Sequence, residues 1–220
     1  MAVHDSQTPL VSIIMNCYNG AKFLEEAIDS IYSQTYSNWE IIFWDNASTD
    51  DSASIAMSYD DRLKYHLALE TTPLGEARDL ALKKITGKYI AFLDSDDLWQ
   101  PNKLYEQIEI MENNKDYEMC YSGGVEIDKS GLLSNKSLPS AISGDVFKYQ
   151  LKKFEIAMNS VLIRSDIPLT FNKSLEYSPD FDVLSEDPKA TATIIKERLK
   201  YEKIRDVKII RHEGVGEIIA

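Results

Sequence analysis

Residues 91–101, AFLDSDDLWQP, set Asp94, Asp96 and Asp97 within four positions directly behind an apolar run. Like charges this close repel, so the cluster needs a partner that offsets them. Two carboxylates separated by one residue at a strand end can both reach one hard cation. Mg2+ and Mn2+ are held by one or two protein carboxylates, with phosphate oxygens and waters completing the octahedron. The same residues also suit a helix start, with Asp96 or Asp97 capping a helix that begins near Leu98 and Pro101 in its first turns. The two readings are compatible.

The elements that must position this cluster are written in the hydrophobic pattern. Residues 10–15, LVSIIM, form an almost wholly apolar run of β-formers, expected to be a strand buried on both faces. CYNG breaks it, and Ala21, Leu24, Ala27, Ile28 and Ile31 then recur at helical spacing over residues 21–33. A second apolar run, WEIIFW at 39–44, ends in the turn- and cap-rich DNASTDDS. A helical stretch over about 51–58 and a third strand, LKYHLAL, follow. PLGEARDLALKKITG reads as a helix with Pro73 near its start and Gly87 at its end. KYIAFL is the fourth strand, and the acidic cluster sits at its carboxyl end.

Alternating strands and helices with short connections predict right-handed βαβ units and a mostly parallel sheet flanked by helices. Ligands of such sheets bind beyond the carboxyl ends of the strands. Three polar loops lie there: 17–20, 45–51 and 94–97. After about residue 116 the texture changes. YEMCYSGGVEID and IAMNSVLIRSDI read as strands, with a Ser- and Gly-containing loop at 130–145 between them. The stretch 189–220 is rich in Lys, Glu and Ile without a clear cap. No linker divides the chain, so it is expected to form one unit, with residues 9–115 as one half and 116–220 as the other.

Composition narrows the function. The 220 residues carry 24 basic and 36 acidic side chains, a formal charge of −12, which disfavours nucleic acid and anionic membrane as partners. An anionic substrate remains compatible, because a divalent metal overturns the local field. Cys17 and Cys120 show no metal-ligand spacing and read as reduced cytoplasmic thiols. Residues 1–9 lack the basic and apolar segments of a signal peptide, and no run of about 18 apolar residues is present. Any contact with a membrane is expected through a partner or a peripheral face.

Four segments, PLVSIIMNCYNGAKFLEEAIDSIYSQTY, WEIIFWDNASTDDS, PLGEARDLAL and GKYIAFLDSDDLWQPNKL, stand in the order and spacing of the family 2 glycosyltransferases. The chain resembles that family from residue 9 to about 185. The resemblance implies a GT-A-like α/β fold in which a nucleotide-sugar-binding half merges with an acceptor-binding half. It also implies transfer of a sugar with inversion, from a UDP- or dTDP-sugar to a hydroxyl of a glycan or glycolipid, with Mg2+ or Mn2+. The setting implied is assembly of surface polysaccharide or lipopolysaccharide in the cytoplasm, at the inner face of the membrane.

Carried over residue by residue, the resemblance puts Tyr18 and Asn19 against the base and Asp45 on an imide N–H of that base. Arg78 matches the Arg of the family's Ala-Arg-Asn and is expected near the nucleotide or diphosphate, although the Asn is Asp79 here. Asp94 matches the carboxylate nearest the ribose, and Asp96 the one on the metal. FNKSLEYSPDFDVL places Asp180 on the catalytic base, with Pro179 where the family has Glu; Asp182, Glu186 and Asp187 are the other carboxylates nearby. Inverting transfer needs such a base to take the proton of the attacking hydroxyl. His212 could match a C-terminal His of the family, or be a surface residue. Two other readings stay open: a sugar nucleotidyltransferase, and a non-catalytic binding module of the same fold.

Overall fold

The computed structural model describes residues 8–127, 133–137, 157–169 and 171, and residues 201–212 as backbone. Strand β1, Val11–Cys17, lies between β2, Trp39–Asp45, and β4, Tyr89–Phe92, and runs parallel to both. Strand β3, Leu63–Leu67, adds in parallel outside β2. Side chains alternate across a strand, so β1 feeds two cores. Val11, Ile13 and Met15 pack with Leu24, Ile28 and Ile31 of helix α1, Ala21–Tyr32. Ile14, with Ile42 and Ile90, packs with Ala77 and Ala81 of helix α3, Leu74–Leu82. Both faces are covered, which is why these strands are almost continuously apolar.

The sheet does not stop at β4. Strand β8, Val161–Arg164, pairs antiparallel to β4, and β6, Met119–Ile127, pairs antiparallel to β8. Strand β9, Tyr201–His212, runs parallel to β6, and the three-residue β5, Asp97–Trp99, pairs antiparallel to β9. Strand β7, Leu133–Ser137, hangs on the side of β6. The order is β3-β2-β1-β4-β8-β6-β9-β5, so both halves of the chain share one sheet. Helices α2, Ser52–Ala56, and α4, Lys103–Asn113, and a single 3-10 turn at Met158–Ser160 complete the described elements.

Three local expectations are corrected. Residues 97–99 are strand, and α4 starts only at Lys103, with Asn102 at its N-cap position and no side-chain cap. Neither Asp96 nor Asp97 caps that helix; Asp97 is 1% exposed and engaged by Asn159 from the second half. Helix α3 ends at Leu82, so Gly87 is not its terminator. A Cβ on Gly87 would lie 2.6 Å from the backbone N of Ser12 and 2.7 Å from the carbonyl O of Leu10. Glycine is needed there for backbone approach. The Lys-, Glu- and Ile-rich tail contains β9, which its lack of flanking signals concealed.

Helix α4 carries a lysine in the interior. Lys103 is fully buried, its ammonium 4.1 Å from the centre of the Trp99 ring and 2.6 Å from Oε1 of Gln107. Burial pushes its pKa down from 10.5 to about 7, with Cys120 acting in the opposite direction. Between those values the unfolded chain binds a proton on Lys103 that the folded one does not, so the contribution of Lys103 to stability rises with pH from about 7 to 10.5 and is level below. Replacing Lys103→Met should flatten that slope and raise the melting temperature at pH 7 by at least about 2 °C. Melting curves across this range check it; a slope equal to that of the unsubstituted protein would contradict it.

Candidate active site

The carboxyl ends of β1, β2 and β4 lie side by side, and their loops interlock. Asn19 adopts a left-handed conformation, φ 52°, a region in which Asn is among the better tolerated residues. Its Oδ1 accepts hydrogen bonds from the N–H of Thr49 at 2.8 Å and Oγ1 of Thr49 at 3.3 Å. In return the Asn19 N–H donates to Oγ of Ser48, and the Gly20 N–H to Oγ of Ser52, each at 3.0 Å. Asp50 joins two helix starts, accepting from the N–H of Ala21 and the N–H of Ser52 at 3.0 Å each. The third loop closes on the first at Gly20. A Cβ there would meet Oγ of Ser95 at 2.8 Å and Sγ of Cys17 at 2.9 Å.

Asp45, at the end of β2, is fully buried. Its Oδ1 accepts from the Ser48 N–H at 2.7 Å and its Oδ2 from the Tyr65 hydroxyl at 2.7 Å. Burial and the bond to Asp45 push the Tyr65 hydroxyl well above its ordinary pKa, so it stays a donor. Burial likewise raises the Cys17 thiol, so Cys17 is a neutral wall residue.

A cavity of about 350 Å³ opens between the ends of β1 and β2 and the start of α3, lined among others by Asn16, Tyr18, Asn46, Thr72 and Leu74. Tyr18 is 55% exposed, so its ring face is available for stacking. Asn46 is clamped to Thr72 in the wall of the same cavity. Its Nδ2 donates to the Thr72 carbonyl at 2.7 Å, and its Oδ1 accepts from the N–H and Oγ1 of Thr72 at 3.1 Å each. The Asn16 Nδ2 is buried without a partner among the described residues. Asn16, Asn46 and Thr72 carry no local signal of a binding role. Their types are ordinary for turns, and only the fold aims them at one cavity.

Arg78 is 2% exposed and lies beneath the acidic loop. Its NH2 is 3.2 Å from Oδ1 of the more exposed Asp94, and its guanidinium is stacked 5.6 Å from the centre of the Phe171 ring. Asp79, its neighbour, accepts the Phe171 N–H at 2.9 Å and so fixes that ring's backbone. Asp96 is half-buried beside Asp94. Among the described residues no group of three or more His, Cys, Asp or Glu gathers as a complete metal cage. Asp94 and Asp96 nevertheless offer the hard oxygens that Mg2+ or Mn2+ takes when a diphosphate supplies the remaining ligands, so the donor set fits. Asp180, Asp182, Glu186 and Asp187 lie outside the described residues.

A model of the family described as Glycosyl transferase family 2 matches residues 12–168. The chain belongs to that family. An uncharacterised glycosyltransferase of Rickettsia prowazekii is 35% identical over 192 residues, covering 80% of this chain and 58% of that protein. The Bacillus subtilis glycosyltransferase TuaG, named for teichuronic acid biosynthesis, is 35% identical over 130 residues, 55% of this chain and 52% of that one. Among solved structures, Staphylococcus aureus TarS 1–349 in complex with UDP-GlcNAc aligns with a TM-score of 0.71 at 18% identity, covering 94% of this chain and 59% of that chain. The mannosyltransferase PcManGT of Pyrobaculum calidifontis, in complex with GDP-Man and Mn2+, aligns at 0.65 and 20% identity, covering 97% and 59%. The family 2 chain therefore has the GT-A fold and spans little more than half the length of these relatives.

The Asn46–Thr72 clamp is testable without any substrate. Asn46→Ala should speed amide hydrogen exchange at Thr72 by about tenfold or more, as its acceptor is lost, while protection along β1 and β2 stays unchanged. Unaltered exchange at Thr72 would contradict the clamp.

Proposed function

We propose that this family 2 glycosyltransferase transfers a sugar, with inversion, from a UDP- or dTDP-sugar to a hydroxyl of a glycan or glycolipid in surface polysaccharide assembly. The observation that carries the reading is the meeting of three interlocked polar loops beside a cavity with an exposed aromatic wall. An α/β sheet binds nucleotides at this place. TarS, which shares the fold, binds UDP-GlcNAc, and TuaG is named for a surface polymer; both favour this donor and acceptor class over the alternatives.

In this reading Tyr18 stacks on the base, Asn19 and Asp45 shape the base end of the cavity, and Asp94 faces the ribose. Arg78 orients Asp94 from below and adds positive charge near the diphosphate. Asp96, with Asp94 nearby, is the residue to hold Mg2+ or Mn2+, which when bound offsets charge on the departing diphosphate. Asp180 takes the proton of the acceptor hydroxyl as that oxygen attacks the anomeric carbon. The acceptor, drawn to residues after about 116, meets the donor near the seam where β4 of the first half pairs with β8 of the second.

Release of UDP or dTDP from the corresponding nucleotide-sugar, with acceptor present, tests the assignment. Asp180→Asn should lower kcat by about 10²- to 10⁴-fold while nucleotide affinity changes by less than about twofold. Turnover undiminished in Asp180→Asn would remove Asp180 as the base. A chain that binds nucleotide but releases none from any nucleotide-sugar would favour a binding module instead.

A further inference from the structure

The acidic loop is a short span between two strands, and one segment of the second half holds both of its flanks. Before the loop, β4 pairs with β8, matching Ala91 with Leu162. After the loop, β5 is gripped by the turn that precedes β8. The Asn159 side chain donates through Nδ2 to Oδ2 of Asp97, and the Asn159 carbonyl accepts from Nε1 of Trp99 at 2.9 Å. Ser160 adds a third tie, its carbonyl accepting from Nε2 of Gln107 on α4 at 2.8 Å. Within the loop, the Asp97 N–H closes a turn onto the carbonyl of Asp94 at 3.2 Å.

These contacts bear directly on the reach of Asp96. Its two chain neighbours are Ser95, pressed against Gly20, and Asp97, which is buried. Asp97 cannot move without carrying Asp96 with it, because one peptide links them. A buried carboxylate in this place needs a donor, and the amide of Asn159 is 5% exposed and supplies it. The orientation of that amide is not free. A half-turn about its last torsion would face Oδ1 toward Asp97, oxygen against oxygen. The Oδ1 atom instead points into the interior, where it has no partner among the described residues.

We infer that Asn159 is a positioning residue: through Asp97 it sets where the carboxylate of Asp96 is held, and so how tightly the nucleotide-loaded site takes a divalent cation. This rests on the reading of Asp96 as the metal-holding carboxylate. Residues that orient a ligating group typically change metal affinity by about 10- to 100-fold when removed. The inference also gives the second half of the chain a part in the donor site, since Asn159 stands 62 positions from Asp97.

The test is a titration of the full chain with Mn2+ at saturating UDP, following free Mn2+ by electron paramagnetic resonance. UDP affinity without metal is measured alongside by calorimetry. Asn159→Ala should weaken Mn2+ binding by about tenfold or more and leave metal-free UDP affinity within about twofold. Asn159→Asp sets two carboxylates face to face and should weaken Mn2+ further. The exchange pair Asp97→Asn with Asn159→Asp restores the bond with donor and acceptor reversed, and should recover at least about tenfold over Asn159→Asp alone. That recovery separates positioning from a general loss of structure, and it decides the matter even if Asn159→Ala alone does not fold. Mn2+ affinity in folded Asn159→Ala within about twofold of the unsubstituted chain would overturn the inference, as would an exchange pair no better than Asn159→Asp. Failure of the unsubstituted chain to bind Mn2+ in the presence of UDP would instead overturn the reading of Asp96 itself.

Discussion

The site depends on the parallel pairing of β1 with both β2 and β4. Parallel strands end on the same side of a sheet, and β1 runs with β2 from the Val11–Trp39 pair to the Cys17–Asp45 pair without a slip. On its other edge it carries β4 from Val11–Tyr89 to Ile14–Phe92. The loop after β1 is therefore flanked by the loops after β2 and β4, wherever those lie in the sequence. A one-residue slip would turn every side chain of a strand to the other face, and both faces here are buried, so the register is strongly specified. Burial of apolar side chains on both faces supplies the driving force, and the polar chemistry is confined to the ends.

At those ends the loops are held by side-chain-to-backbone hydrogen bonds. Asn19, Ser48, Asp50 and Ser52 form a reciprocal set, while Asp45 ties β2 to β3 through Tyr65. The acidic loop has a different problem, since it gathers negative charge in a chain of formal charge −12. Its buried counterweights are the guanidinium of Arg78 on Asp94 and the amide of Asn159 on Asp97. Asp94 and Asp96 are both half-buried, in contrast to the fully enclosed Asp97. Removing a buried partner of this kind leaves an uncompensated charge, which costs far more than a surface ion pair contributes.

How much of this was legible beforehand follows from the range of the interactions. The strands LVSIIM, WEIIFW, LKYHLAL and KYIAFL and the helix over 21–33 were readable because their burial is written in contiguous or regularly spaced residues. The three loops were readable as polar breaks after those strands. Strand β5 was not, because three residues carry too little pattern and are held by Asn159 and β9, both distant in sequence. An aspartate before a Pro-containing turn reads locally as a cap, and only the tertiary partner reveals it as buried. The same holds for Gly87, whose position is explained by the backbone of Leu10 and Ser12 rather than by a helix end. Asn46 and Asn16 are not legible in the sequence, because an amide beside a turn has many ordinary uses.

The most direct test of the account is a crystal structure of the chain with UDP and Mn2+. The account predicts the uracil in the cavity between Tyr18 and the Asn46–Thr72 wall, the ribose toward Asp94, and Mn2+ within about 2.0–2.3 Å of an Asp96 oxygen and of diphosphate oxygens. A nucleotide seated elsewhere, or a metal that bypasses Asp96, would contradict it.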